Sequence, residues 1–419
     1  MTATPAPRAL DDIPSCFAYF RNEPGPAGRA AAEKLGRFVT GSIKLPADTV
    51  RAMGGDRCRG DVLSDTFIEA AFADGYAGKV RKMVDQALAH GVGSVEDAPA
   101  ELRALFHHLD TEPDWLDWNL VERGAQVFRQ YGTDAFLYFG VVTIGGYRRE
   151  EIQKPLVLTG AYTGGSAFGR FLETCRFWTD VSEPDALRQG GAGRKTAVMV
   201  RIMHSMIRHT IAPHQEWDEK RFGVPLNQYD QFTTIMLSFL LSQHMKRLGY
   251  RITEEETLAH MHFWRYVGYL MGVEPAFYPE TTEDWWRASY VLTLSSDPHD
   301  GADSRRLSQS FIDAFQPAPE DQGEQRAARE REYRKVLGYA GFFVPAATLA
   351  VTGVPQAGLL RWQPLTRFVP NLVTSTARRV VPGFAAALDL RRRQSRTAWL
   401  SHHTGGRPAA FAPVERLSR

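Results

Sequence analysis

Thr196-Ala-Val-Met-Val-Arg201-Ile-Met-His204-Ser-Met-Ile-Arg208-His-Thr210 is the stretch whose reading decides the fold. Val198, Met199, Ile202, Met203, Met206 and Ile207 recur three and four residues apart, the period of an α-helix with one broad apolar face. At about 100° per residue, Arg201, His204 and Arg208 fall on a second, narrower stripe. That stripe has two readings. On an ordinary amphipathic helix it is a solvated basic edge. On a helix buried on both sides it surrounds a metal-centred anionic cofactor, with His204 on the metal and the arginines offsetting carboxylate charge. The helix alone does not choose; its surroundings favour the second.

Composition narrows the classes. The chain has 419 residues, 43% hydrophobic and 23% charged, ordinary values for a soluble globular protein with a sizeable core. A formal net charge of +2 offers no field for nucleic acid. Three cysteines, Cys16, Cys58 and Cys175, lie far apart and argue for a reducing compartment rather than a disulfide framework. No Cys-x-x-Cys-His is present, which excludes covalently attached c-type haem. The N-terminus lacks a basic and then apolar leader, so a cytoplasmic location is expected. The longest apolar stretch, 339–354, is broken by Gly341, Pro345 and Gly353 and is too short for a bilayer of roughly 30 Å, so no transmembrane segment is expected.

Along the chain, residues 1–30 read as an N-terminal arm, 31–300 as a helical domain, 301–330 as a polar connector, and 331–419 as C-terminal helices and a tail from about Thr404. Gly54-Gly55 and Gly91-Val-Gly93 mark breaks between helices, and Trp115 and Trp118 pack on a neighbouring element. His107-His108 are adjacent and point about 100° apart on a helix, so they read as a packed or surface pair. The run from Ala135 to Gly146 suits a buried helix rather than a strand, its glycines letting something large approach the backbone. Arg170, Glu173 and Thr174 stand at i, i+3 and i+4, placing a cation, a carboxylate and a hydroxyl on one face; a surface ion pair is the plainer account of them. Gly190-Gly-Ala-Gly193-Arg-Lys195 departs from the Walker pattern and reads as a loop that feeds Thr196 as a helix N-cap. Near the C-terminus Arg378-Arg379, Arg391-Arg-Arg393 and Arg396 lie among apolar residues. They read as exposed helix faces with the capacity for weak peripheral membrane contact.

Several motifs in order carry a resemblance. They are Gly60-Asp61-Val-Leu-Ser-Asp65, Pro113-Asp-Trp115-Leu-Asp117 followed by Gly124, and Thr159-Gly160 leading to Arg170-x-x-x-Thr174. Arg201-x-x-His204-x-x-x-Arg208, Pro225-Leu-Asn-Gln-Tyr-Asp230 and Trp264-Arg-Tyr-Val-Gly268-x-x-x-Gly272 complete the set. Together they resemble the family of latex-clearing proteins (rubber oxygenases) and mycophenolic-acid-pathway oxygenases. The resemblance implies an all-α, globin-like fold around a non-covalent haem b, with His204 as the axial iron ligand. Arg201 and Arg208 would fix the helix and the haem environment, and Arg170 and Thr174 would sit at the haem. Where latex-clearing proteins carry a distal lysine, this chain has Glu173, which argues against that distal arrangement and against rubber as substrate. Glu173 suits general acid/base work, as does Glu151, the other candidate for the family's catalytic glutamate.

The function so implied is a haem b-dependent oxygenase or peroxygenase-like oxidoreductase, using O2 or peroxide on a hydrophobic, unsaturated small molecule. Two alternatives stay open. One is a non-catalytic haem carrier or sensor. The other is a non-haem metal site built from Glu256 and His260, at i and i+4, with His244.

Overall fold

The computed structural model describes residues 9–160 and 166–404. The tail expected beyond Thr404 lies outside the described residues. Every regular element among the described residues is helical, as the patterning predicts, and none is long and apolar enough to cross a membrane. Contacts divide the chain into two units. One gathers the chain up to Ala125 with Asp180–Phe239 and Glu254–Asp297; the other gathers Gln126–Thr179, Leu240–Thr253 and the chain from Pro298 onward.

The first unit is built on the helix Ala192–Ile211, against which Val62–Ala73, Val80–His90 and Glu254–Leu270 pack. This helix starts five residues earlier than the loop reading expected, with Gly191 as its N-cap, so Thr196 is inside it rather than its cap. The Thr196 hydroxyl donates to Asp180 Oδ2 at 3.3 Å. The glycines before it answer to packing. A Cβ on Gly191 would lie 2.2 Å from the Ala186 carbonyl oxygen, and one on Gly193 would lie 2.6 Å from that of Asp180. Within the segment read as an arm, Cys16, Phe17, Ala18 and Tyr19 are buried; Phe17 meets Tyr229 edge-on at 5.2 Å, and the Ala18 amide donates to the Ser295 carbonyl at 3.0 Å. Trp115 and Trp118 pack edge-on against Tyr266, at 6.5 and 5.0 Å.

In the second unit the run after Gly132 is a helix, Thr133–Gly146, buried on every side from Asp134 to Val141. An all-round apolar helix is the signature of a core position. The large group that its glycine admits is a pair of rings. A Cβ on Gly140 would meet Phe311 at 2.4 Å and Phe171 at 3.0 Å. Asp134, at the start of this helix, is buried yet satisfied, accepting hydrogen bonds from Tyr250 Oη and Tyr339 Oη at 2.8 Å each. Within 301–330, Ala302–Asp313 is a helix with Leu307, Phe311 and Ile312 buried.

Candidate active site

The Arg201–His204–Arg208 stripe is not a solvated edge. Arg201 is 1% exposed and Arg208 4%. Each meets a carboxylate at the N-terminal end of Val62–Ala73, from its N-cap Asp61 or from Asp65 in the first turn. Arg201 forks onto Asp61, Nε to Oδ2 at 2.6 Å and Nη2 to Oδ1 at 2.8 Å. Arg208 Nε reaches both oxygens of Asp65 at 2.7 and 3.0 Å, and its Nη2 donates to Ser205 Oγ at 2.7 Å. A buried guanidinium needs such a fork, because an unpaired charge in the interior is far costlier than a satisfied pair. Asp61 also caps its own helix by accepting from the Ser64 amide, and Asp65 accepts from the Asp61 amide at 2.9 Å. The glycines of the same motifs leave room for these carboxylates. A Cβ on Gly60 would lie 2.3 Å from Asp65 Oδ2, and one on Gly272, whose φ is +74°, would lie 2.3 Å from Asp61 Oδ2. Nη1 of Arg201 remains buried without a hydrogen-bond partner among the described residues.

The opposite side of the helix holds the surprise. Met199, Met203, Met206 and Ile207, expected in the core with Val198 and Ile202, are only half-buried. His204 sits between this apolar stripe and the arginines and is itself half-buried. Its Nδ1 faces Gln231 Oε1 at 3.2 Å. The Gln231 amide is oriented by its other end, since Nε2 donates to the Leu226 carbonyl at 3.1 Å, which leaves Oε1 to accept. His204 therefore carries its proton on Nδ1 and presents a lone pair at Nε2, which has no hydrogen-bond partner among the described residues. Burial pushes the His204 pKa down to about 4, and the Arg208 charge adds to this; the Gln231 contact and Asp61 oppose it. The ring is neutral near pH 7. Leu226 adopts the left-handed backbone conformation, φ +49°, and its carbonyl takes both Gln231 and Arg208 Nη1, the latter at 3.1 Å. Gln228 locks the surrounding loops, donating to the carbonyls of Gly60 and Gly272 at 2.8 and 2.9 Å. Asn227, Gln228 and Asp230 belong to a quoted motif, but Gln231, one residue beyond it, gave no sequence signal.

The second unit holds the other candidates. Arg170 Nη1 pairs with Glu173 Oε2 at 2.9 Å, and Thr174 Oγ1 donates back to the Arg170 carbonyl at 2.9 Å. Burial raises the Glu173 carboxyl above its ordinary range, opposed by Arg170. Glu151 is fully buried, and its Oε1 accepts from both Nε and Nη2 of Arg149, at 3.0 and 2.9 Å.

The non-haem metal alternative meets a correction. No group of three His, Cys, Asp or Glu stands together among the described residues. Trp264 Nε1 donates to His260 Nε2 at 2.7 Å, so the nitrogen that a metal would need is already engaged. His244 Nδ1 is hydrogen-bonded to Tyr138 Oη at 2.8 Å. Of the pair read as packed or on the surface, His107 is exposed and His108 packs on the Tyr269 ring at 4.5 Å.

Comparison with known proteins then identifies the lineage. The family described as ER-bound oxygenase mpaB/B'/rubber oxygenase, catalytic domain, matches residues 129–406. The chain belongs to this oxygenase family. A curated relative, the rubber oxygenase of Streptomyces sp. (strain K30), is 27% identical over 201 residues. That match covers 47% of each protein, so the chain spans about half the length of this relative. A solved structure of latex-clearing protein in its closed state shares the fold of this chain, with a TM-score of 0.59 at 18% identity over 83% of this chain and 92% of that one.

Proposed function

We propose that this oxygenase-family chain depends on haem b and acts on a hydrophobic, unsaturated small molecule, with Nε2 of His204 as the protein's iron ligand. The observation that carries the reading is the Gln231–His204 hydrogen bond. It fixes the tautomer whose free nitrogen suits a metal, on a ring held neutral by its surroundings, as the other nitrogen of a metal-binding histidine usually requires. The half-buried methionine stripe beside it offers an apolar, polarisable wall to a flat macrocycle. Haem bound here would supply the activation of O2 or peroxide. The chain's own residues do the rest. Arg201 and Arg208, matched by Asp61 and Asp65, hold the ligand helix in place, and the unpartnered Arg201 Nη1 remains for a carboxylate. Glu173, half-buried and raised above its ordinary pKa, exchanges a proton at its carboxylate oxygens, with Arg170 holding its orientation. Thr174 and the fully buried Glu151 serve as the supporting hydroxyl and the second carboxylate.

The test is the absorption spectrum of the purified protein beside His204→Ala, with an alkaline pyridine assay for haem type. A b-type Soret band that shifts or weakens in the variant is the expected result. A colourless protein after expression with ample haem overturns the reading. A b-type spectrum without turnover of peroxide or any alkene identifies a carrier or sensor instead.

A further inference from the structure

The second unit carries an apolar ridge on its outside. The segment Gly358–Arg367 is a 3-10 helix, and three residues per turn set Leu359, Trp362 and Leu365 in one line. All three are exposed, Leu359 by 87%. The helix Phe368–Val380 follows it directly and packs against it. Val369, Val373 and Val380 recur at four and seven residues and point outward, Val380 by 71%. Its inward face is polar. Asn371 and Ser375 are buried, and Asn371 Nδ2 donates to the Leu248 carbonyl at 3.0 Å. This amphipathic helix therefore sits inside out, with valines to solvent and amide and hydroxyl to the protein. Ordinary surfaces do not expose so long a contiguous apolar line; those that do have a partner.

Charge identifies the partner. From Gly358 to Arg393 there are seven arginines, Arg361, Arg367, Arg378, Arg379 and Arg391–Arg393, against the one carboxylate of Asp389, which Arg129 already pairs; Arg367 is paired with Asp134 at 3.4 Å, and the other six still leave a basic excess. Arg361 lies over the Trp362 ring at 4.8 Å. Beside Val380, Lys246, Arg251 and Arg379 line an open pocket of about 440 Å³ with Tyr250, Ile252 and Thr253. A second copy of this chain is a poor occupant, because a two-fold contact sets the same patch against itself and brings like charges together. An anionic bilayer answers both features, taking the valines and tryptophan into the interface and the cations against its headgroups.

We infer that the ridge from Leu359 to Val380 docks this protein on an anionic phospholipid surface, with a headgroup phosphate in the Lys246–Arg251–Arg379 pocket. The inference does not depend on the haem reading. The full chain is sedimented with vesicles of phosphatidylcholine containing 30% phosphatidylserine and with pure phosphatidylcholine, at low and high salt. Preference for the anionic vesicles by tenfold or more, weakened by salt, is expected. Val369→Asp with Val373→Asp should reduce binding at least tenfold with an unchanged far-UV spectrum and melting temperature. Arg251→Gln with Lys246→Gln should each cost roughly fivefold. If the aspartate variant does not fold, Leu359→Ala with Trp362→Ala carries the same test. Absence of binding, equal binding to neutral vesicles, or variants that bind like the parent overturns the inference. So does a dimer in sedimentation velocity that the valine variant dissolves, which makes a second copy the occupant.

Discussion

At the scale of single residues, the decisive atom is Oε1 of Gln231. Gln231→Leu removes the only acceptor that the described residues offer His204 Nδ1 and frees the ring to rotate or change tautomer. Haem titration followed at the Soret band should show affinity lower by about 10–100-fold, with a shifted band. Gln231→Glu keeps an acceptor at that position and should retain most of the affinity. Glu173 makes a separate prediction. As a base, it gives a rate that rises with pH through a midpoint above the ordinary 4.5, because burial favours its protonated form. Glu173→Gln should remove that limb and lower turnover by about 10²–10⁴-fold while leaving the haem spectrum intact. A pH–rate profile unchanged in the variant would assign the proton chemistry elsewhere, with Glu151 the next candidate.

At the scale of elements, helices of the first unit meet through positions where no side chain fits. A Cβ on Gly124 would lie 2.0 Å from the Ala259 carbonyl oxygen and 2.7 Å from Phe263 Cβ, so Trp118–Gln130 and Glu254–Leu270 approach backbone to backbone. Gly124→Ala should cost about 1–3 kcal/mol or more in chemical denaturation. The contact between Val62–Ala73 and the His204 helix depends on charge instead. Asp61→Ala strands Arg201 in the interior and should cost about 3–5 kcal/mol, whereas losing a surface pair such as Arg188–Asp185 should cost less than about 1 kcal/mol. Urea melts of the two variants compare the buried and exposed cases directly.

At the scale of the whole molecule, buried neutral histidines make the fold acid-sensitive. Burial lowers the pKa of His260 to about 3, and burial with the Arg201 charge lowers that of His108 to about 4. Both bind a proton less readily in the fold than in the unfolded chain. Their contribution is complete above the ordinary value of 6.5 and is lost as pH falls toward 4 for His108 and toward 3 for His260. Thermal melts of the haem-free protein should therefore lose about 1.4 kcal/mol per pH unit for each such histidine below 6.5. Replacing His260 by Gln should flatten the slope, and a stability constant between pH 6.5 and 4 would contradict it.

The sequence by itself determined the helical class, because a 3.6-residue period of apolar positions has no other stable outcome. It also singled out Arg201, His204 and Arg208, since their spacing puts them on one face of any helix, and the motif order identified the family. Tertiary structure decided which side of that helix faces inward. Periodicity assigns the methionines to the core and leaves the arginines undecided, yet Asp61 and Asp65, some 140 residues earlier in the chain, draw both guanidinium groups inside and leave the methionines half-open. The tautomer of His204 was equally out of reach. It depends on a glutamine 27 residues away, aimed by the carbonyl of a leucine in left-handed conformation. The inside-out helix at Phe368–Val380 is the same lesson: a moment in the sequence says that two faces differ, and only the neighbours that satisfy Asn371 and Ser375 say which one meets the protein.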